Sequence, residues 1–414
     1  MIICFKRSDK VDKRIVITGL GVISPVGTGK EKFWNSLVNG ISGVAEIKSF
    51  DCSDFRVKIG GEVKDFYPHE HMSSEQAQKM GRGSQYAYAG VKMALKDANI
   101  EESSLQDKKV AVCMGTTMGE VQVVEAINKA ISANHINEIE SDLFSQYMTN
   151  NITSFVMNEL KINGPQYMFC NACAAGNYAI GYASDLILRG KADMALAGGV
   201  DPFSWIAFTG FSRLLSLTHD ICRPFDKNRK GLVVSEGAGV LILEEMESAK
   251  ARGAYIYAEV KGYGLGMDSH HMTSPHPEAE GAIASMNLAL KNSKLTVDDI
   301  DYISAHGTGT PANDKIESHA IRKVFESARK IPPVSSIKSM IGHAMGAASA
   351  LEAAACCLMI QNQTILPTIN FTTPDPNCIE DCVPNTARSQ KLEHVMSNGF
   401  AFGGNTSCLI LSKC

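Results

Sequence analysis

Apolar and polar positions fall in short blocks along this chain, and the blocks come in two similar sets. In the first set, Arg14–Gly19 (RIVITG) is a β-branched run closed by a glycine, and Lys109–Gly115 (KVAVCMG) reads as a buried strand. In the second, Tyr255–Gly262 (YIYAEVKG) and Ile300–Ala305 (IDYISA) repeat those signals. The glycines closing the two outer runs read as turns. Glycine and threonine follow each inner run: Gly115, Thr116 and Thr117, then Gly307, Thr308, Gly309 and Thr310. Later in each set the spacing predicts a helix crowded with tiny residues, Cys173–Leu188 and His343–Leu358. Along the second, Gly346, Ala347, Ala350 and Ala354 form a stripe nearly free of side chains. Such a helix can be approached closely from several sides, so it is expected between sheets. Strand candidates follow both helices, Met194–Ala197 and Thr364–Pro367. Alternating strands and helices predict an α/β fold, and the duplication predicts two similar layers stacked together. The division is expected near Ala249–Ala254, after a charged helix at Glu244–Lys250, giving halves 1–252 and 253–414.

Charge narrows the function. The chain has 40 Lys+Arg against 44 Asp+Glu over 414 residues, a formal net charge of −4, without the basic excess of a nucleic-acid binder. A chain of this length buries a large core without disulfides or metals. Twelve cysteines, from Cys4 to Cys414, are scattered with no repeated ligand spacing. Most read as reduced, buried small hydrophobes in a cytoplasmic protein. Met1–Lys13 has only a short apolar patch before Lys6 and Arg7, unlike a signal peptide. The longest weakly polar run, Ala350–Ile360, is broken by Glu352 and is too short to cross a bilayer, so no membrane partner is expected.

Four segments could carry chemistry. Asn171–Gly176 (NACAAG) puts Cys173 at the start of the first tiny-residue helix, where the helix dipole favours a thiolate. That effect is worth about one pKa unit, from ~8.5 to ~7.5. The plainer reading is a buried packing cysteine. Cys170 and Cys173 also form a C-x-x-C, but deep in a long chain and far from the usual redox setting. Ala305–Asp314 (AHGTGTPAND) places His306 at a strand's C-terminal edge, where α/β sites collect. Ser335–Gly346 (SSIKSMIGHAMG) puts Lys338 before the second helix and His343 at its start, where the dipole keeps imidazole neutral. Gly399–Asn405 (GFAFGGN) offers a flexible backbone between two rings. There is no phosphate-binding P-loop and no G-x-S-x-G elbow. His270, His271 and His276 have no carboxylate or cysteine at ligand spacing nearby, and Pro275 and Pro277 favour a loop over a metal site.

Taken together, the four segments resemble the β-ketoacyl-ACP synthases, the condensing enzymes of the thiolase superfamily. The resemblance spans essentially the whole chain, from RIVITGLGVISPVG (Arg14–Gly27) to GFAFGGNTSCLIL (Gly399–Leu411). RPFDKNRKGLVVSEGAGVLILEE (Arg223–Glu245) and HHMTSPHP (His270–Pro277) lie between. Cys, His and His in that order are similar to the elongating, KAS II-like branch. The resemblance implies a thiolase-like duplicated αβαβα five-layer sandwich. It implies that Cys173 takes an acyl chain from the phosphopantetheine of an acyl-carrier protein. The amides of Cys173 and Phe402 would form an oxyanion hole. His306 and His343 would hold the thioester oxygen of malonyl-ACP as CO2 leaves. Lys338 and Glu317 would form a supporting network, Thr308 and Thr310 would hold the pantetheine arm, and Phe400 and Phe402 would gate the site. No cofactor of the chain's own is implied. The expected partners are an acyl-carrier protein and a second subunit, either a copy or a chain-length-factor-like paralogue.

The segments NACAAGN, GTTMGE (Gly115–Glu120) and FAFGGNTS (Phe400–Ser407) depart from the housekeeping pattern, and Leu215–Arg223 is shorter than usual. These departures favour a specialised type II polyketide or polyene pathway. Housekeeping fatty-acid elongation, a non-catalytic chain-length-factor-like subunit and CoA-dependent thiolase chemistry are the alternatives. Carrier proteins are acidic, so Arg213 and Lys227–Lys230 are candidate docking residues.

Overall fold

The computed structural model describes residues 13–139 and 141–414; Cys4 and nearly all of Met1–Lys13 lie outside the described residues. The first half contributes strands β1 (Ile15–Ser24), β2 (Val110–Gly115), β3 (Gln166–Phe169), β4 (Met194–Asp201) and β5 (Gly237–Glu245). The second contributes β6 (Ala258–Met267), β7 (Tyr302–Ser304), β8 (Val334–Ser335), β9 (His394–Phe400) and β10 (Asn405–Ser412). Their spatial orders are β1-β5-β4-β2-β3 and β6-β10-β9-β7-β8, the same permutation twice. Directions repeat too: β1/β5 and β5/β4 are antiparallel, as are β6/β10 and β10/β9, and the remaining pairs are parallel. The halves are stitched together where β1 meets β6, through Val16↔Glu259 and Ile17↔Ala258.

Five helices complete the layers: α1 (Arg82–Asp97), α2 (Ala175–Leu188), α3 (Glu280–Ser293), α4 (Pro311–Val324) and α5 (Ala348–Asn362). Helix α1 covers β1 and β5 from outside, and α3 covers β6 and β10. Between the two sheets lie α2 and α5, each packed against strands of both halves. Every residue of α5 from Ala348 to Ile360 is buried, as its small side chains demand. A Cβ on Gly176 would sit 2.7 Å from the amide nitrogen of Ala350, so the two inner helices touch backbone to backbone. The result is the thiolase-like sandwich of alternating helix and sheet layers.

Several expected elements are placed differently. Gly19 and Gly262 are not turns: β1 and β6 run on past them with register shifts nearby. A Cβ on Gly19 would lie 2.3 Å from the Ala94 carbonyl, and one on Gly262 would lie 2.7 Å from the Ser293 amide. Both glycines therefore admit an outer helix against the strand. Thr364–Pro367 supplies only Thr364–Ile365, in a two-residue ladder with Arg388–Ser389 outside the main sheet. The charged helix is Met246–Ala251, because Glu244 and Glu245 finish β5. The second inner helix begins at Ala348, five residues after His343. No helix among the described residues is long and apolar enough to cross a membrane.

Candidate active site

The end of β3 feeds a tight turn in which Ala172 takes a left-handed φ of 49°. A single 3-10 turn, Ala172–Ala174, then runs into α2 and carries Cys173. The second half repeats the device: Met345 has φ 51°, and the 3-10 turn Met345–Ala347 runs into α5. Where the first copy has a cysteine, the second has Gly346, whose amide donates to Asp201 at 2.5 Å. Asp201 also accepts from the Thr116 hydroxyl (2.7 Å) and the amides of Thr117 (2.7 Å) and Met118 (2.9 Å). One buried carboxyl thus ties the second turn to the Gly115–Glu120 loop. Sequence reasoning missed it; its place at the end of β4 was the available signal.

Cys173 lies on the floor of a cavity of about 340 Å³ that His306, His343, Thr308, Phe400 and Phe402 also line. Glu317 and Thr310 reach the same cavity, whereas Lys338 is wholly buried behind it. The two imidazoles are nearly perpendicular (81°), with ring centroids 5.3 Å apart. Phe400 stands 5.9 Å from His306, and Phe211 stands 6.4 Å from His343 and 5.8 Å from Phe402. Phe211 was not foreseen.

Hydrogen bonds fix the tautomer of both histidines. His343 Nδ1 accepts the Met345 amide at 3.2 Å. His306 Nδ1 faces Lys338 Nζ at 3.4 Å, and an ammonium can only donate. Each neutral ring therefore carries its proton on Nε2. Both pKa values are driven well below the ordinary histidine value, chiefly by burial and further by the Lys338 charge. The cause differs from the helix dipole expected for His343. That residue bridges to Val234, donating its amide to the Val233 carbonyl at 2.7 Å.

The supporting network also differs from expectation. Lys338 does not pair with Glu317; it donates to Glu352 on α5 and, at 2.7 Å, to the His306 carbonyl. Burial lifts Glu352 to about 7, with Lys338 opposing. Glu317, on α4, instead accepts the amides of His306 (2.8 Å) and Gly307 (2.7 Å), and burial lifts it to about 7. Glu352 was visible as the lone charge in a tiny-residue helix. Thr308 and Thr310 share a 2.9 Å hydroxyl contact, and Thr310 also caps α4 by accepting the Asn313 amide at 3.3 Å.

The thiol does not follow the helix-tip expectation. Burial pushes Cys173 up to about 12; Lys338 pulls it down and Asp201 adds to the rise. Cys170, the other half of the C-x-x-C, is exposed, and both thiols are free. In the proposed docking stretch Arg229 is not available. It is buried, donating to Asp375 at 2.6 Å and to the carbonyls of Thr310 (3.3 Å) and Pro311 (3.1 Å). Arg213, Lys227 and Lys230 remain exposed.

Residues 12–249 match the family described as beta-ketoacyl synthase, N-terminal domain, and residues 257–372 match beta-ketoacyl synthase, C-terminal domain. The 3-oxoacyl-[acyl-carrier-protein] synthase 2 of Staphylococcus aureus (strain COL) is 37% identical over 408 residues, 97% of this chain and 99% of that protein. The solved structure titled the ishigamide ketosynthase/chain length factor superposes with a TM-score of 0.93 at 42% identity, covering 98% of this chain and 100% of its own. A type II PKS acyl-carrier protein in complex with its ketosynthase bound to the hexaketide gives a TM-score of 0.90 at 32% identity, covering 98% and 100%.

Proposed function

This chain belongs to the β-ketoacyl synthase family, and from that premise we propose that Cys173, His306 and His343 carry its chemistry, with acyl-carrier protein presenting both substrates. It is a condensing acyltransferase, a 3-oxoacyl-ACP synthase. The observation that carries the site assignment is the pair of neutral imidazoles whose Nε2–H groups are left to donate beside a buried cysteine.

In the first half-reaction Cys173 Sγ bonds to the acyl carbonyl, the carrier's thioester C–S bond breaks, and the thiol proton leaves on the carrier's sulfur. In the second, the malonyl C–C bond breaks to release CO2, and the electron pair spreads onto the thioester oxygen. Two fixed N–H donors in a dry pocket stabilise that oxygen, each worth ~3–4 kcal/mol. The enolate carbon then attacks the acyl carbonyl, the C–S bond to Cys173 breaks, and the sulfur takes a proton. A thiol held near 12 recovers that proton readily. Neutral imidazoles suit this work, because an imidazolium would have to form in a buried site already holding a lysine. Lys338, Glu352 and Glu317 act as positioning residues.

Incubation with malonyl-ACP and an acyl-ACP is expected to give CO2 and a 3-oxoacyl product. His343→Ala should lower malonyl decarboxylation by about 10²–10³-fold while acyl transfer to Cys173 survives; equal loss of both steps would overturn the division of labour. Arg213→Glu should raise the KM for carrier-bound substrates, and an unchanged KM removes Arg213 from the docking surface. The reading extends to a specialised type II polyketide pathway. Its support is the unusual NACAAGN run and the 42% identity to a ketosynthase/chain length factor structure against 37% to the S. aureus synthase. Failure to rescue a strain lacking fatty-acid elongation is expected, and rescue would favour the housekeeping role. The proposed halves are 1–252 and 253–414, supported by the repeated strand order, and the proposed assembly is a dimer with a copy or a chain-length-factor-like subunit.

A further inference from the structure

Exposure grades the cavity from floor to mouth. Cys173, His343 and Thr308 are about 5% exposed or less, whereas Met272 is 79% and Leu215 is 88% exposed. Two polar groups at the outer level have no part in the chemistry above. Lys230 lines the cavity with its side chain half exposed. It stands 3.5 Å from Asp220, which also pairs with Arg223 at 2.8 Å. Although burial works to raise it, Asp220 is held at about 2 by Thr218, Ile221 and these cations. One carboxylate between two cations leaves the group with a net positive charge. The second group is His271, whose Nδ1 accepts the amides of Thr273 (3.1 Å) and Ser274 (3.2 Å). Those bonds fix the ring and leave the proton of the neutral form on Nε2. The nearby carboxylate Asp268 directs its oxygens to the amides of His276 and Gly281, both at 2.9 Å.

The mouth therefore suits a ligand with an anion at its outer end, and the floor suits a reactive carbonyl. Resting on the carrier-bound thioester reading, we infer that Lys230 and the Nε2–H of His271 hold the phosphodiester at the outer end of the carrier's pantetheine arm. Lys230 and His271 line the same cavity, and a cation with an N–H donor is the pairing a singly charged phosphate takes. The other anion within reach of the mouth, a carboxylate on the carrier's own surface, would contact Lys230 only when the carrier is present.

The test follows acylation of Cys173 by intact mass with three donors of one acyl group: acyl-carrier protein, acyl-phosphopantetheine and acyl-pantetheine. The unaltered enzyme is expected to favour the phosphorylated small donor over the dephosphorylated one by about tenfold in kcat/KM, the size of one charge-assisted contact. Lys230→Gln should bring that ratio close to one, His271→Gln should reduce it, and Lys230→Arg should keep most of it. A ratio near one in the unaltered enzyme, or unchanged in Lys230→Gln, overturns the assignment. So does a Lys230→Gln defect seen only with the carrier. If no donor acylates Cys173, the reading of the site itself fails, and this assignment goes with it.

Discussion

Cys173→Ala should abolish condensation, lowering it by at least about 10³-fold, while free malonyl decarboxylation persists. The logic is that His306 and His343 stabilise the enolate without help from the sulfur, whereas carbon–carbon bond formation has no acceptor once the thioester to Cys173 cannot form. Intact mass of the unaltered enzyme with an acyl-ACP should show one acyl adduct, absent from the variant. Cys170 supplies the control. It is exposed and three residues away, so alkylating reagents should reach it. The adduct must persist in Cys170→Ser and vanish in Cys173→Ala. A chain that keeps pathway output as Cys173→Ala is a scaffold or length-setting subunit, not the catalyst.

The second large effect is on stability. Lys338→Met removes the partner of Glu352, and breaking a buried pair typically costs about 3–5 kcal/mol. The loss has a pH signature. Burial and the Glu317 charge then act on Glu352 unopposed, and its folded pKa already lies above the ordinary 4.5. A carboxyl raised in the folded state contributes stability that is fully present below its unfolded pKa and is lost as pH rises through the folded one. The variant should therefore sit closer to the unaltered protein at pH 5 than at pH 8 in urea unfolding. The double variant Lys338→Met, Glu352→Leu should recover most of the stability, because an apolar pair can replace a buried ion pair. It should not recover decarboxylation, since Lys338 also holds the backbone and ring of His306. Recovery of activity would reduce the pair to a packing role.

The order of Cys173, His306 and His343 along the chain was enough to place three groups in one cavity, and the block pattern was enough to give a duplicated α/β sandwich. What escaped were facts of three-dimensional neighbourhood. Gly19 and Gly262 carried a local signal for turns, but helices 75 and 31 residues further on in sequence press on them through Ala94 and Ser293. Two glutamates were equally available to Lys338; distance chose Glu352, and Glu317 turned to backbone amides. The helix-tip argument for Cys173 was sound as far as it went, yet burial outweighed it. Arg229 looked like surface charge in a basic run and is instead a strut beneath the Thr310 turn.

The contact between Gly176 and Ala350 limits how this enzyme can change. With main chain already against main chain, the middle of the sandwich has nothing left to carve away, and any added atom there prises the two halves apart. Room for longer or bulkier intermediates has to be found at the periphery, in the loops and the neighbouring subunit. Divergence in product should accordingly be recorded at the rim while the centre stays frozen.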